Sequence, residues 1–148
     1  MVTAARVASE DGSGHDHFRV ELSTDVTQVG HVVDAVVACC TALAAVSTRT
    51  QFRLCTVVAE AVANAMVYGN RNDPARRVVV DIELLSNRII IAVSDEGDGF
   101  DPHAVPNPTH DGAVDGTRGR GLFMIRSLAD QVDFNDRGNT IWMTLPRC

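Results

Sequence analysis

The sequence predicts an α+β domain of two layers, with helices on one face of a mostly antiparallel sheet. Three observations lead there. Phe18, Val20 and Leu22 alternate with Arg19, Glu21 and Ser23, the period of two that marks a half-buried strand. Two long apolar stretches at helical spacing follow, and then two β-rich runs, Arg77 to Leu85 and Arg88 to Ser94, parted only by the turn pair Ser86-Asn87. A third helical stretch leads into two more short strand patterns, so the order is β-α-α-β-β-α-β-β, with a long connection before the last helix.

Residues 1 to 16 are rich in Ala, Ser, Gly and Asp, lack sustained periodicity and are expected to form a flexible tail ahead of a domain spanning 17–148. Thr24 or Asp25 caps the first helix, on which Val26, Val29, Val33, Val36, Val37, Cys40, Leu43 and Ala44 recur at helical spacing. Val46-Ser47 breaks it. Thr48-Arg49-Thr50-Gln51 has the S/T-x-x-Q form of a capping box, opening a second helix that runs to about Tyr68 and stops at Gly69-Asn70. From Asp95 to Gly121 the composition turns to Gly, Pro, Asp and Asn, a connection far longer than the usual ~4–6 residues, and it reads as a functional lid. Leu122, Ile125, Leu128, Ala129 and Val132 restore helical spacing from about Gly121. Strands from Gln131 to Asn135 and Thr140 to Leu145 then flank a turn at Asp136-Arg137-Gly138.

The 148 residues carry 13 basic and 19 acidic side chains, a net charge of −6, and 45% are hydrophobic. That length suits one domain whose core needs no metal or disulfide staple. Every basic residue is Arg. The acidic balance argues against direct nucleic-acid binding, and phosphate chemistry must rely on Arg, backbone N–H groups or a metal instead of an ammonium group. Cys39, Cys40, Cys55 and Cys148 show no C-x-x-C spacing and read as small hydrophobes in a reducing compartment. No basic and apolar leader opens the chain, and no run approaches the ~18 apolar residues of a membrane span. A cytoplasmic protein without membrane contact is expected.

The second helix is apolar almost all round, so its polar residues stand out. At 100° per residue, Arg53, Thr56, Glu60, Asn64 and Arg71 form one narrow stripe. Glu60 and Asn64 lie a turn apart and place a carboxylate beside an amide carbonyl, the equipment for a proton acceptor next to a hard cation such as Mg²⁺; a solvated helix face would show the same pair. Asp95-Glu96-Gly97-Asp98-Gly99-Phe100 stands where the strand Ile89 to Val93 ends. There, glycines let the backbone approach a flat ligand while the carboxylate accepts from an exocyclic amine such as that of adenine, although D-x-G-x-G also suits a turn. Gly119-Arg120-Gly121-Leu122 leads into the third helix, either as a phosphate cradle at the first helical N–H groups or as a tight loop-to-helix turn.

Taken together and in this order, the three segments resemble the N box and the two glycine boxes of the GHKL ATPases, from about Phe18 to the C-terminus. The short length, the N box Glu60-Ala61-Val62-Ala63-Asn64-Ala65 and the short lid are most similar to the bacterial anti-sigma-factor serine/threonine protein kinases. The resemblance implies a Bergerat ATP-binding fold with a short ATP lid, ATP and Mg²⁺ as cofactors, and Glu60 as base for the substrate hydroxyl. It implies Asn64 as the Mg²⁺ ligand and Asp95 as reader of the adenine amine. Gly97 and Gly99 would shape the adenine pocket, Gly119, Gly121 and Leu122 the phosphate segment, and Thr140 would help Asp95 hold a water against adenine. Arg118 and Arg120 flank the phosphate segment as charge donors or as solvated lid residues. Tyr68 departs from the His that many relatives carry after the N box.

By the same resemblance the partners are a sigma factor and an anti-anti-sigma protein of the STAS type that is phosphorylated on Ser or Thr, and the chain is a homodimer. Two alternatives remain: a nucleotide-dependent binding module without phosphotransfer, and a histidine-kinase-type catalytic domain acting in trans. The second would want a preceding dimerisation helix pair bearing a phosphoacceptor His, which 16 tail residues do not supply.

Overall fold

The computed structural model describes residues 2–8, 15–43, 46–101 and 116–148. The alternation at Phe18 to Leu22 becomes strand β2 (Asp16–Ser23), which buries Val20 and Leu22 and turns Arg19, Glu21 and Ser23 outward. Strands β3 (Arg77–Leu84) and β4 (Arg88–Asp95) form the expected hairpin, with Val80 opposite Val93 and Ile82 opposite Ile91. On the far side of β4 lies β6 (Thr140–Pro146), and β5 (Gln131–Phe134) forms that edge. With β1 (Thr3–Val7) at the other edge, the sheet order is β1-β2-β3-β4-β6-β5, and every neighbouring pair is antiparallel.

The flexible tail expected for residues 1 to 16 is corrected over Thr3–Val7. This run has no alternating pattern to betray a strand, because its ordering comes from the ladder with β2 and from the Arg6–Asp16 ion pair. The first helix is entered through a tight 3₁₀ turn, Val26–Gln28, and continues as α1 (Val29–Leu43). Asp25 is its cap: its carboxylate accepts from the Thr27 N–H at 3.0 Å and the Thr27 hydroxyl at 2.6 Å, and these bonds hold its pKa below the usual carboxylate value.

The second helix, α2 (Thr48–Asn64), is capped one residue earlier than the capping box suggested. Ser47 Oγ accepts from the Thr50 N–H at 3.1 Å, and Gln51, one position too far along for the reciprocal bond, donates instead to the Val46 carbonyl. The helical pattern that reaches Tyr68 is not uniform: Ala65–Gly69 widens into a π turn, closed by the Asn70 N–H on the Ala65 carbonyl at 2.7 Å. Arg71 and Asn72 then take positive φ values of 53° and 58°, so Arg71 leaves the polar stripe that ideal helical spacing assigned it. The third helix, α3 (Gly116–Leu128), begins before Gly121, so Gly119 to Leu122 lie within it.

Val32, Val36, Leu54, Val58, Val62, Met66 and Ile125 from the helices meet Ile82, Ile91, Met143 and Leu145 from the sheet in one core. Ile91 is fully buried on a central strand, between Ile82 and Met143, so truncating it to Ala costs about 2–5 kcal/mol. Among the described residues no helix is long and apolar enough to cross a membrane. The C-terminal end of β4 and the start of β6, paired at Ser94 and Thr140, lie on the same side as the C-terminal part of α2, and the motif residues gather there.

Candidate nucleotide-binding site

On α2, Val57, Val58, Ala61 and Val62 face the core, which leaves Glu60 and Asn64 half-buried on the other side, one turn apart. Helix α3 passes directly over them. A Cβ added to Gly121 would stand 2.8 Å from Glu60 Oε2 and 3.1 Å from Asn64 Nδ2, so only glycine allows this approach. Gly119 lies in the first turn of α3, and Gly121 is the residue whose missing side chain admits Glu60. Arg120 is exposed, Leu122 is buried, and the Arg118 side chain lies outside the described residues, as does the middle of the expected lid, residues 102–115.

Beside Asn64 lies a pocket whose apolar walls are Ala61, Val93, Ile125, Phe134 and Ile141. Asp95, the last residue of β4, and Asn139 and Thr140 at the head of β6 supply its polar side. Asp95 Oδ1 accepts from the Gly97 N–H at 2.8 Å, and the Asp95 N–H donates to the Asn139 carbonyl at 3.0 Å. Gly69, at the end of the π turn, packs its Cα under the Asp95 carboxylate, where any Cβ would overlap it; a Cβ on Gly97 would overlap the Gly69 carbonyl. Gly99 has φ +83° and presses on the Arg137 carbonyl, while Gly138 has φ +73° and presses on that of Phe100. These contacts bring Phe100 into the wall, edge-on to Phe134 with ring centroids 5.5 Å apart. Gly97 and Gly99 thus shape the pocket through the backbone without lining it.

Thr140 lines the pocket, but its hydroxyl is engaged with Ser94 Oγ at 2.9 Å. Asn139 is the residue paired with Asp95, and its Nδ2 reaches the carbonyls of Asp95 and Gly97 at 3.4 Å each. Spacing gave no sign of Asn139, since it falls in the turn before the strand pattern.

Asn70 is marked by the sequence as a helix stop and the start of a turn. It is fully buried, and its Nδ2 donates to Thr24 Oγ1 at 2.9 Å and to the Arg77 carbonyl at 3.0 Å. Its Oδ1 accepts from the Glu96 N–H at 2.9 Å. One side chain thereby ties the entry to α1, the start of β3 and the residue after Asp95. A polar residue at a helix end carries no local mark of such a role.

The donor set fits a nucleotide accompanied by Mg²⁺. The Asp95 carboxylate and the Asn64 amide both line the apolar pocket, and Glu60 stands one turn of α2 from Asn64. Among the described residues no cluster of three His, Cys, Asp or Glu forms a dedicated metal cage.

The sequence model of the histidine kinase-like ATPase domain matches residues 22–145. The chain belongs to this family. The curated relatives of this ATPase domain include an anti-sigma F factor of Oceanobacillus iheyensis, 31% identical over 94 residues that make up 60% of this chain and 64% of that protein. They also include the serine-protein kinase RsbW of Staphylococcus aureus, 36% identical over 95 residues, 59% of this chain and 60% of that protein. The matched stretch spans less than two thirds of either relative.

Proposed function

We propose that this histidine kinase-like ATPase domain is an anti-sigma factor with serine/threonine protein kinase activity. It binds a sigma factor in the cytoplasm and, using Mg-ATP, phosphorylates a Ser or Thr of a STAS-type antagonist. The observation that carries this reading is the meeting of Glu60, Asn64 and Gly121 beside the Asp95 pocket. The names of its relatives support it.

Asp95 accepts the adenine amine, with Phe100 and Ile141 against the base. Asn64 would hold Mg²⁺, which when bound would neutralise phosphate charge. Glu60 accepts the proton of the substrate hydroxyl as that oxygen bonds to the γ-phosphorus and the bond to the ADP oxygen breaks. Phosphoryl transfer needs little beyond such positioning and charge compensation. Homodimerisation belongs to the same proposal.

Purified chain, Mg-ATP and STAS proteins, followed by intact-mass measurement, test it. One added phosphoryl group is expected on the partner, with Glu60→Gln slowing transfer about 10²–10⁴-fold while ATP still binds. Nucleotide-dependent partner binding without transfer would leave a binding module in place of the kinase.

A further inference from the structure

We propose that the outer face of α2 and the adjoining exposed stripe of α3 form the docking surface for the phosphoacceptor protein, and that this partner meets it with acidic residues around an apolar centre. The inference rests on the phosphotransfer reading of Glu60 and adds where, and by what chemistry, the partner is held.

Six large hydrophobic residues are exposed among the described residues, and four of them sit here: Phe52 (67%), Val67 (36%), Phe123 (42%) and Met124 (39%). Phe52 on α2 and Val67 in its π turn fall on either side of Glu60 along the axis, roughly 10–12 Å away at 1.5 Å per residue. On α3, Arg120, Phe123, Met124 and Ser127 are all exposed and recur at i, i+3, i+4 and i+7, one face of the helix. Gly121 approaches Glu60, and Arg120, Phe123 and Met124 lie within one turn of Gly121 along α3, which sets the exposed stripe beside the Glu60 side of α2.

Charge separates this face from the rest of the molecule. The chain is −6 overall, yet the charged residues on the Glu60 side of α2 and in the exposed stripe of α3 are Arg49, Arg53 and Arg120, with Glu60 the one acid among them. Arg49 and Arg53 lie on the Glu60 side of α2 and have no acidic partner among the described residues. Exposed Phe and Met within an arginine rim is the composition of an interface core, and such a surface favours an acidic partner. A protein that brings its hydroxyl to Glu60 must cover this ground.

The test measures steady-state transfer from Mg-ATP to a STAS protein that the parent chain phosphorylates. Phe52→Ser and Arg53→Glu are compared with Trp142→Ser on the opposite, open face of the sheet. Phe52 is too exposed for its loss to threaten folding. Each helix-face variant should raise the KM for the STAS protein about tenfold or more, with kcat and the ATP dissociation constant unchanged, while Trp142→Ser leaves all three as they were. A KM unchanged in both helix-face variants, or raised equally by Trp142→Ser, overturns the docking surface while the kinase reading stands. So does sedimentation showing that these variants dissociate a homodimer with the KM unmoved, which would assign the face to a second copy. A parent chain that phosphorylates no STAS protein overturns the kinase reading and this proposal with it.

Discussion

Gly121 of α3 lies so close to Glu60 of α2 that a methyl group on it would stand 2.8 Å from carboxylate oxygen Oε2. Two segments 61 residues apart in the chain are thereby brought to one point, and the carboxylate that would take the substrate proton is walled by a glycine.

Gly121→Ala should therefore displace Glu60 without unfolding the chain, because the obstructing atom is the end of a flexible side chain. A misplacement near 1 Å costs up to ~10²-fold in rate. Transfer to the STAS protein is expected to fall by about one to two orders of magnitude, with the melting temperature nearly unchanged. A parental rate in the folded variant would show that Glu60 need not hold this position.

Asp95→Asn keeps an oxygen for the Gly97 N–H but loses the charge that an adenine amine would meet. A hydrogen bond to a charged group is worth about 1.5–3 kcal/mol, or roughly 10- to 150-fold in affinity. Calorimetric titration with ATP and ADP should record that loss in a folded protein, and unaltered binding would move the adenine site elsewhere.

Asn70→Ala strands the Glu96 N–H and the Arg77 carbonyl, each costing about 1–3 kcal/mol if left unpaired. The melting temperature should drop by roughly 5–10 °C, and ATP affinity should weaken because Glu96 follows Asp95. Thr24→Val removes the arm remote from the pocket, together with the 2.7 Å bond that the Thr24 hydroxyl donates to the Arg76 carbonyl. It should lower stability and spare ATP affinity; equal losses of affinity in both would reduce Asn70 to a structural role.

Burial pushes the Cys40 thiol up to about 12, and the Cys39 thiol is raised for the same reason. An unfolded chain ionises these thiols near pH 9 and the folded one does not, so stability should decline as pH rises from about 9 towards 12 and be unaffected by them below that range. At pH 8, alkylation followed by intact-mass and peptide analysis should find the exposed Cys148 modified first and Cys40 only after denaturant is added. Modification of Cys40 under native conditions would contradict its place in the core.

Periodicity was enough for the strands β2, β3, β4 and β6 and for the bodies of the helices, because each buries one face and the chain must repeat apolar residues at 2.0 or 3.6 to do so. The order of Glu60, Asn64, Asp95, Gly97, Gly99, Gly119 and Gly121 along the chain pointed to the family for a related reason: close backbone approach and a fixed carboxylate demand particular residue types. Strand β1 carries no pattern of its own, because this edge strand is ordered by the ladder with β2. The π turn at Ala65–Gly69 was equally silent, since one widened turn alters no residue type, yet it places Gly69 under Asp95 and Asn70 among three separate segments. Likewise Asn139 and Phe100 reach the pocket through the backbone contacts of Gly138 and Gly99 across a turn. Such contacts join residues far apart in sequence, and their energy depends on distances that no local pattern records.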